Sequence, residues 1–206
     1  MDNKVIELKY GNTRTYIVKG NQGALLIDTD WAGTVHNFFK ALKQSGESIK
    51  TLNYLVITHF HPDHMGIAAN LNELGIRLIV LEEQRDFLHT SDYFFEKEKN
   101  SSFIPLDIHS AILLPCSESR SFLAQIGIQG EIIYTPGHSD DSISIILDNG
   151  IAIVGDLPPI QLAPGFEKAD MDESWRKILA HGIDTIHYGH AMSETIDKNL
   201  RSLQDL

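Results

Sequence analysis

Along the chain, apolar positions alternate or cluster in short runs, first in strand-like and then in helix-like spacing. "KVIELKY", "TRTYIVKG" and "ALLIDTD" read as three strands, separated by turn signals at Gly11-Asn12 and at Gly20 to Gly23, so the pattern predicts an opening meander. "TVHNFFKALKQSG" follows with Val35, Phe38, Phe39 and Leu42 at helical spacing and Gly46 as its stop. The nearly continuous apolar run "LNYLVI" predicts a buried strand, "MGIAANLNELG" a helix closed by Gly75, and "IRLIVL" another strand.

Residues 82–110 are less regular and concentrate aromatics: Phe87, Tyr93, Phe94, Phe95 and Phe103. A lid or dimerisation insertion fits this stretch, and so does a satellite core under a surface loop. After it come "SAILLP", a helical "SESRSFLAQIG", and strands "GEIIYTP", "SISIILD" and "GIAIVGD", the last two joined across the hairpin signal Asn149-Gly150. Helix "DESWRKILAHG", strand "IDTIHYG" and helix "MSETIDKNLRSLQDL" complete the pattern. The whole of 1–206 reads as one α/β domain with helices outside packed sheets.

Composition narrows the function classes. The 28 acidic against 17 basic residues give a formal charge of -11, which repels polyanions and argues against nucleic acid as a partner. No apolar stretch approaches the ~20 residues needed to span a bilayer. The amino terminus lacks the basic-then-apolar order of a signal peptide, and the single Cys116 excludes an internal disulfide, so a cytoplasmic location is expected.

The chemistry concentrates in "THFHPDHMG", residues 58–66. On an extended segment, His59 and His61 point to one side and Phe60 to the other, so two imidazoles can share an ion. Pro62 favours a turn, and Asp63 and His64 fall at the start of the next helix, where they could serve a second ion. Three other strand ends offer matching donors beside a glycine: His138 in "TPGHSDDS", Asp156 in "AIVGDLPP" and His190 in "IHYGHAMS". Convergence of strand ends on one rim is how α/β architectures build sites. His36, His89, His109, His181 and His187 are expected to pack or face solvent, and Cys116 to be structural.

The order HxHxDH, His, Asp, His, with Asp28 in "LLIDTD", resembles the metallo-β-lactamase superfamily of binuclear metallohydrolases over nearly the whole chain. The resemblance implies a four-layer αβ/βα sandwich with metals at one edge between the sheets. It implies His59, His61 and His138 on one metal, Asp63, His64 and His190 on the other, Asp156 bridging, and Asp28 supporting from behind. It also implies two zinc ions, with iron or manganese as alternatives. A bridging hydroxide would attack a small ester, thioester, lactone or phosphoester, with Asp63 as proton shuttle. A mononuclear iron oxygenase of the same fold and a non-catalytic ligand-binding protein are the other readings.

Within the superfamily, Asp156 stands where cysteine-type β-lactamases carry Cys. "LPPIQLAPGF" replaces the Gly-Cys-Gly-Arg-like stretch of glyoxalase II relatives, and Pro159 stands where acyl-homoserine lactonases place a tyrosine. Flavodiiron proteins carry Glu at the position of His61. A small-molecule substrate is expected, with Trp31, Tyr93 and Phe94 as substrate contacts.

Overall fold

The computed structural model describes residues 3–100, 102–160 and 169–196. Strands β1 (Lys4–Lys9), β2 (Arg14–Lys19) and β3 (Ala24–Ile27) form the expected antiparallel meander, with Lys9 opposite Arg14 across the first turn. Helix α1 (Val35–Gln44) then crosses over, and β4 (Leu52–Val56), β5 (Arg77–Leu81) and β6 (Ile112–Leu114) continue the sheet in parallel, giving the order β1-β2-β3-β4-β5-β6. Between β4 and β5 lie the one-turn helix α2 (Pro62–Met65) and α3 (Ala68–Glu73).

Within 82–110 the chain forms a 3-10 helix at Glu82–Phe87, α4 (Asp92–Lys97) and a second 3-10 turn at Ile108–Ser110. Helix α4 packs beside α2. Its aromatics divide: Phe95 is buried and stacks on Phe103 at 3.9 Å between ring centres, while Tyr93 and Phe94 are exposed.

After α5 (Ser119–Ala124), the second sheet is built from β7 (Gly130–Tyr134), β8 (Ile143–Leu147), β9 (Ile151–Ile153), β10 (Thr185–His187) and β11 (Glu194–Thr195), in the order β11-β10-β9-β8-β7. Helix α6 (Ala169–Ala180) connects β9 to β10, which pair in parallel. The start of the expected helix "MSETIDKNLRSLQDL" is a correction. Glu194 and Thr195 pair antiparallel with Ile186 and Thr185, because backbone pairing to the edge strand β10 overrides local helix propensity. The rest of that segment, 197–206, lies outside the described residues.

Three apolar clusters account for four layers. Leu26, Leu55 and Leu78 face α1 and α3 through Phe38, Leu42 and Leu71. Leu25, Ile27, Val56 and Ile79 face the other sheet through Ile132, Ile143 and Ile145. Ile146 and Ile186 face α6 through Trp175 and Ile178. Consecutive residues such as Leu25 and Leu26 thus point into different cores, which is why these strands read as unbroken apolar runs. Each such side chain contributes roughly 1.5–3 kcal/mol on burial.

The sheets are tied where strand ends meet. Ile143 N–H donates to the Thr58 carbonyl at 2.9 Å, and Arg14 N–H to the Gly189 carbonyl at 2.7 Å. That rim carries the polar residues. Among the described residues, no helix is long and apolar enough to cross a membrane.

Candidate metal centre

His59 follows β4, His61 precedes α2, and Asp63 and His64 lie on α2, so one short segment brings four donors to the rim. His138 follows β7, Asp156 follows β9 and His190 follows β10. All seven fall into overlapping groups whose donor atoms lie within 4.8 Å of one another: His59, His61, His138; His59, His64, Asp156; and Asp63, His64, His190.

The first group is the tightest. His59 Nε2 stands 3.0 Å from His61 Nδ1, and His138 Nε2 stands 3.1 Å from that same atom. Two nitrogens each bound at 2.0–2.1 Å to one tetrahedral ion lie about 3.3 Å apart, so these spacings suit ligation. Asp156 links this group to the rest. Its Oδ2 is 3.3 Å from both His64 Nε2 and His190 Nε2, and 3.8 and 3.9 Å from His138 Nε2 and His59 Nε2. Asp63 Oδ2 is 3.0 Å from His190 Nε2 and 4.0 Å from His64 Nε2.

The tautomers are set from behind. Buried Asp28 accepts Thr58 N–H at 2.6 Å through Oδ1 and the Thr58 hydroxyl at 2.8 Å through Oδ2. The single Thr58 hydroxyl proton is therefore used, and the same oxygen, 3.1 Å from His59 Nδ1, accepts from it. That leaves His59 Nε2 with its lone pair facing the centre. His64 Nδ1 likewise donates to Asp28 Oδ2 at 2.9 Å, leaving Nε2 inward.

Among the buried polar atoms without a well-formed hydrogen bond in the described residues are two of this cluster, Asp156 Oδ1 and His64 Nε2, the latter meeting only the Asp156 carboxylate as an ion pair at 3.3 Å. Such atoms are uncommon in a folded interior, and both belong to residues of the donor cluster. Electrostatics agrees. Hydrogen bonds and charge from Asp156 and Asp63 hold His190 up at about 10. Burial opposes protonation of His64, yet Asp28 and Asp156 outweigh it and bring that imidazole also to about 10. Burial and the neighbouring His64 charge push His59 well below its ordinary value. Burial disfavours ionised Asp156 and Asp63, but their histidine partners prevail and lower both carboxyls. The carboxylates thus demand positive charge, and the nitrogen and oxygen donors fit a zinc-like cation.

Gly189 is required by close approach: a Cβ there would lie 2.4 Å from Asp156 Oδ1 and 2.7 Å from His64 Cε1. A cavity of about 190 Å3 adjoins the cluster, with Leu157, Pro158, Pro159 and Ala191 on its wall and His138, Asp156 and His190 at its edge.

Trp31 is partly exposed, with its ring 5.3 Å from that of Phe95. Tyr93 and Phe94 sit on the helix beside α2, their rings 5.8 Å apart. His187 lies outside the three donor groups, bonded through Nδ1 to the Ser193 hydroxyl at 2.6 Å. Cys116 is half-buried, and burial with the nearby Glu83 charge pushes its thiol up, away from nucleophilic use.

The sequence reading missed several supports. Asp141 accepts Phe60 N–H, between His59 and His61, at 2.6 Å. Gln84, fully buried, donates to the Ile57 and Asp141 carbonyls at 3.0 Å. Thr13 and Asn12, in the β1–β2 turn, touch Asp63 and His190. The turn signal at Gly11-Asn12 marked the place without revealing the contact.

Comparison with known proteins adds a lineage. The family model described as the metallo-beta-lactamase superfamily matches residues 8–190. A probable metallo-hydrolase of Methanocaldococcus jannaschii is 31% identical over 149 residues, covering 71% of this chain and 68% of that protein. An atrochrysone carboxyl ACP thioesterase of Aspergillus fumigatus is 27% identical over 141 residues, covering 66% of this chain but 27% of its own length. The crystal structure of a metallo-beta-lactamase family protein from Thermus thermophilus superposes with a TM-score of 0.70 at 19% identity, covering 94% of this chain and 75% of that one, and so shares the fold.

Proposed function

Because the chain belongs to the metallo-beta-lactamase superfamily, we propose that it is a binuclear zinc hydrolase acting on a small ester, thioester, lactone or phosphoester. The observation that carries this reading is the position of Asp156 Oδ2, 3.3 Å from both His64 and His190 and within 4 Å of His59 and His138, as one oxygen shared between two donor sets needs to be. His59, His61 and His138 would hold one ion, Asp63, His64 and His190 the other, with Asp156 between them. Bound there, the metals would supply Lewis acidity and, by lowering the pKa of water to about 7, a hydroxide nucleophile at neutral pH.

The chain's own groups do the rest. Asp63, held in its carboxylate form and half-buried at the rim, accepts the nucleophile's proton and returns it to the leaving group. His190 keeps that carboxylate oriented through the 3.0 Å contact. The wall formed by Leu157, Pro158, Pro159 and Ala191 excludes water from one side and accepts the apolar part of the substrate. Trp31, Tyr93 and Phe94 form a second apolar contact for it. Similarity to a fungal thioesterase makes an acyl thioester the first substrate to try.

The test is metal content by plasma mass spectrometry on protein purified without added metal or a metal-binding tag, followed by a panel of thioester, p-nitrophenyl ester, lactone and phosphodiester. About two zinc per chain with turnover that a chelator abolishes is the expected result. Full turnover by metal-depleted protein would overturn it, as would about one iron per chain with oxygen consumption.

A further inference from the structure

We propose that the β1–β2 turn positions the Asp63 and His190 half of the centre, with Thr13 as the positioning residue that sets the affinity of the second metal ion separately from the first. The inference rests on the binuclear reading and adds a determinant that the seven-residue ligand pattern does not contain.

Asp63 and His190 come from opposite halves of the sandwich, and one turn reaches both. Thr13 is fully buried. Its hydroxyl donates to the Asp63 carbonyl at 2.7 Å and lies 3.4 Å from Asp63 Oδ2. The need for a hydroxyl there follows from the brevity of α2. In a one-turn helix the carbonyls lack following amides to accept from, and Ile67 N–H, four residues on, faces the Thr29 hydroxyl at 3.5 Å instead. Thr13 supplies the missing donor and fixes the residue whose carboxylate meets His190.

One residue earlier, the Asn12 carbonyl faces His190 Nδ1 at 3.3 Å. A carbonyl only accepts, so Nδ1 carries the proton and Nε2 turns toward Asp63 and Asp156. One residue later, Arg14 N–H donates to the Gly189 carbonyl at 2.7 Å, fixing the backbone just before His190. The turn itself is anchored: Thr13 N–H donates to Asp30 Oδ2 at 3.1 Å, and Asp30 Oδ1 accepts Trp31 N–H at 2.6 Å. Gly11 packs so closely on this carboxylate that a Cβ would lie 1.8 Å from Asp30 Oδ2. His59, by contrast, is held by Thr58 and Asp28, a separate support.

The experiment is stepwise cobalt(II) titration followed by visible absorption, with zinc affinities from competition against a chromophoric chelator, on the full chain and on Thr13→Val and Thr13→Ser. Thr13→Val keeps the volume and removes the hydroxyl; it should weaken the second step about 10- to 100-fold and leave the first unchanged, and Thr13→Ser should restore the second. Should Thr13→Val fail to fold by circular dichroism, Thr13→Ala removes the same hydroxyl without a second methyl group to accommodate. Equal weakening of both steps, or of neither, overturns the proposal. A wild-type chain that takes up less than two equivalents overturns the binuclear reading itself, and that outcome is visible before any variant is measured.

Discussion

His64 Nδ1 lies 2.9 Å from Oδ2 of Asp28, a residue whose backbone sits in the left-handed region at φ 60°. A non-glycine residue is uncommon there, but Asp and Asn tolerate it better than most. Asp28→Asn should therefore keep the backbone while replacing Oδ2 with an amide that cannot accept from His64 Nδ1–H. The imidazole is then driven to the other tautomer, with its proton facing the donor cluster. Metal affinity should fall about 10- to 100-fold in chelator competition.

Asp156→Ala removes the one oxygen shared by the two donor sets. It also removes one of the carboxylates that raise His64 and His190, so both should titrate lower than in the wild-type chain, with Asp28 still raising His64 and Asp63 still raising His190. Metal content by plasma mass spectrometry and turnover should both be lost, beyond the roughly 10- to 100-fold that removing an outer hydrogen-bond partner costs. Retention of two metals per chain would contradict the shared position.

Much of this centre was legible because its densest part is local. His59, His61, Asp63 and His64 occupy one strand end and one helix start, and the alternation of apolar runs placed His138, Asp156 and His190 after strands. The supports were not legible, because they act over distance: Thr13 meets Asp63 across 50 positions, and Asp141 meets Phe60 across 81. Single-sequence patterns report which face is buried, not which carboxylate will find which amide. The segment at Glu194 and Thr195 fails for a related reason, since its strand exists only through pairing with β10.

Asp141 gives a stability prediction. Its carboxylate accepts the Phe60 N–H at 2.6 Å in a buried setting, pinning the peptide between two candidate ligands. Asp141→Ala strands that amide, and a buried donor without a partner costs about 1–3 kcal/mol. Urea denaturation of the metal-free chain should show a loss of that order. Unchanged stability would mean that the amide finds another partner.

Tyr93 and Phe94 are 60% and 49% exposed, so replacing both with Ser should alter folding stability by no more than about 0.5 kcal/mol. If they contact the apolar part of the substrate, KM should rise for long-chain thioesters and stay level for acetyl ones, with kcat nearly constant. Equal effects on both chain lengths would place the aromatic pair outside the substrate path.

The proton balance of metal uptake follows from His64 and His190, both held at about 10 by the surrounding carboxylates. Near pH 7 the metal-free chain keeps both protonated, and a metal can bind their Nε2 atoms only by displacing those protons. Calorimetry in buffers of different ionisation enthalpy should therefore report about two protons released from these histidines per binuclear loading, plus up to one more where a metal-bound water ionises, and affinity should climb with pH until it levels near 10. The same shifts act on folding with a definite sign. Because both values are raised above the ordinary 6.5, their stabilising pairs with Asp28, Asp63 and Asp156 are fully present below that pH and are lost as pH rises through about 10. The melting temperature of metal-free protein should accordingly fall between pH 7 and 10 more steeply than that of the metal-loaded protein, in which the cations have taken over the charge balance. Parallel curves for the two forms would show that these histidines are not the groups the metals replace.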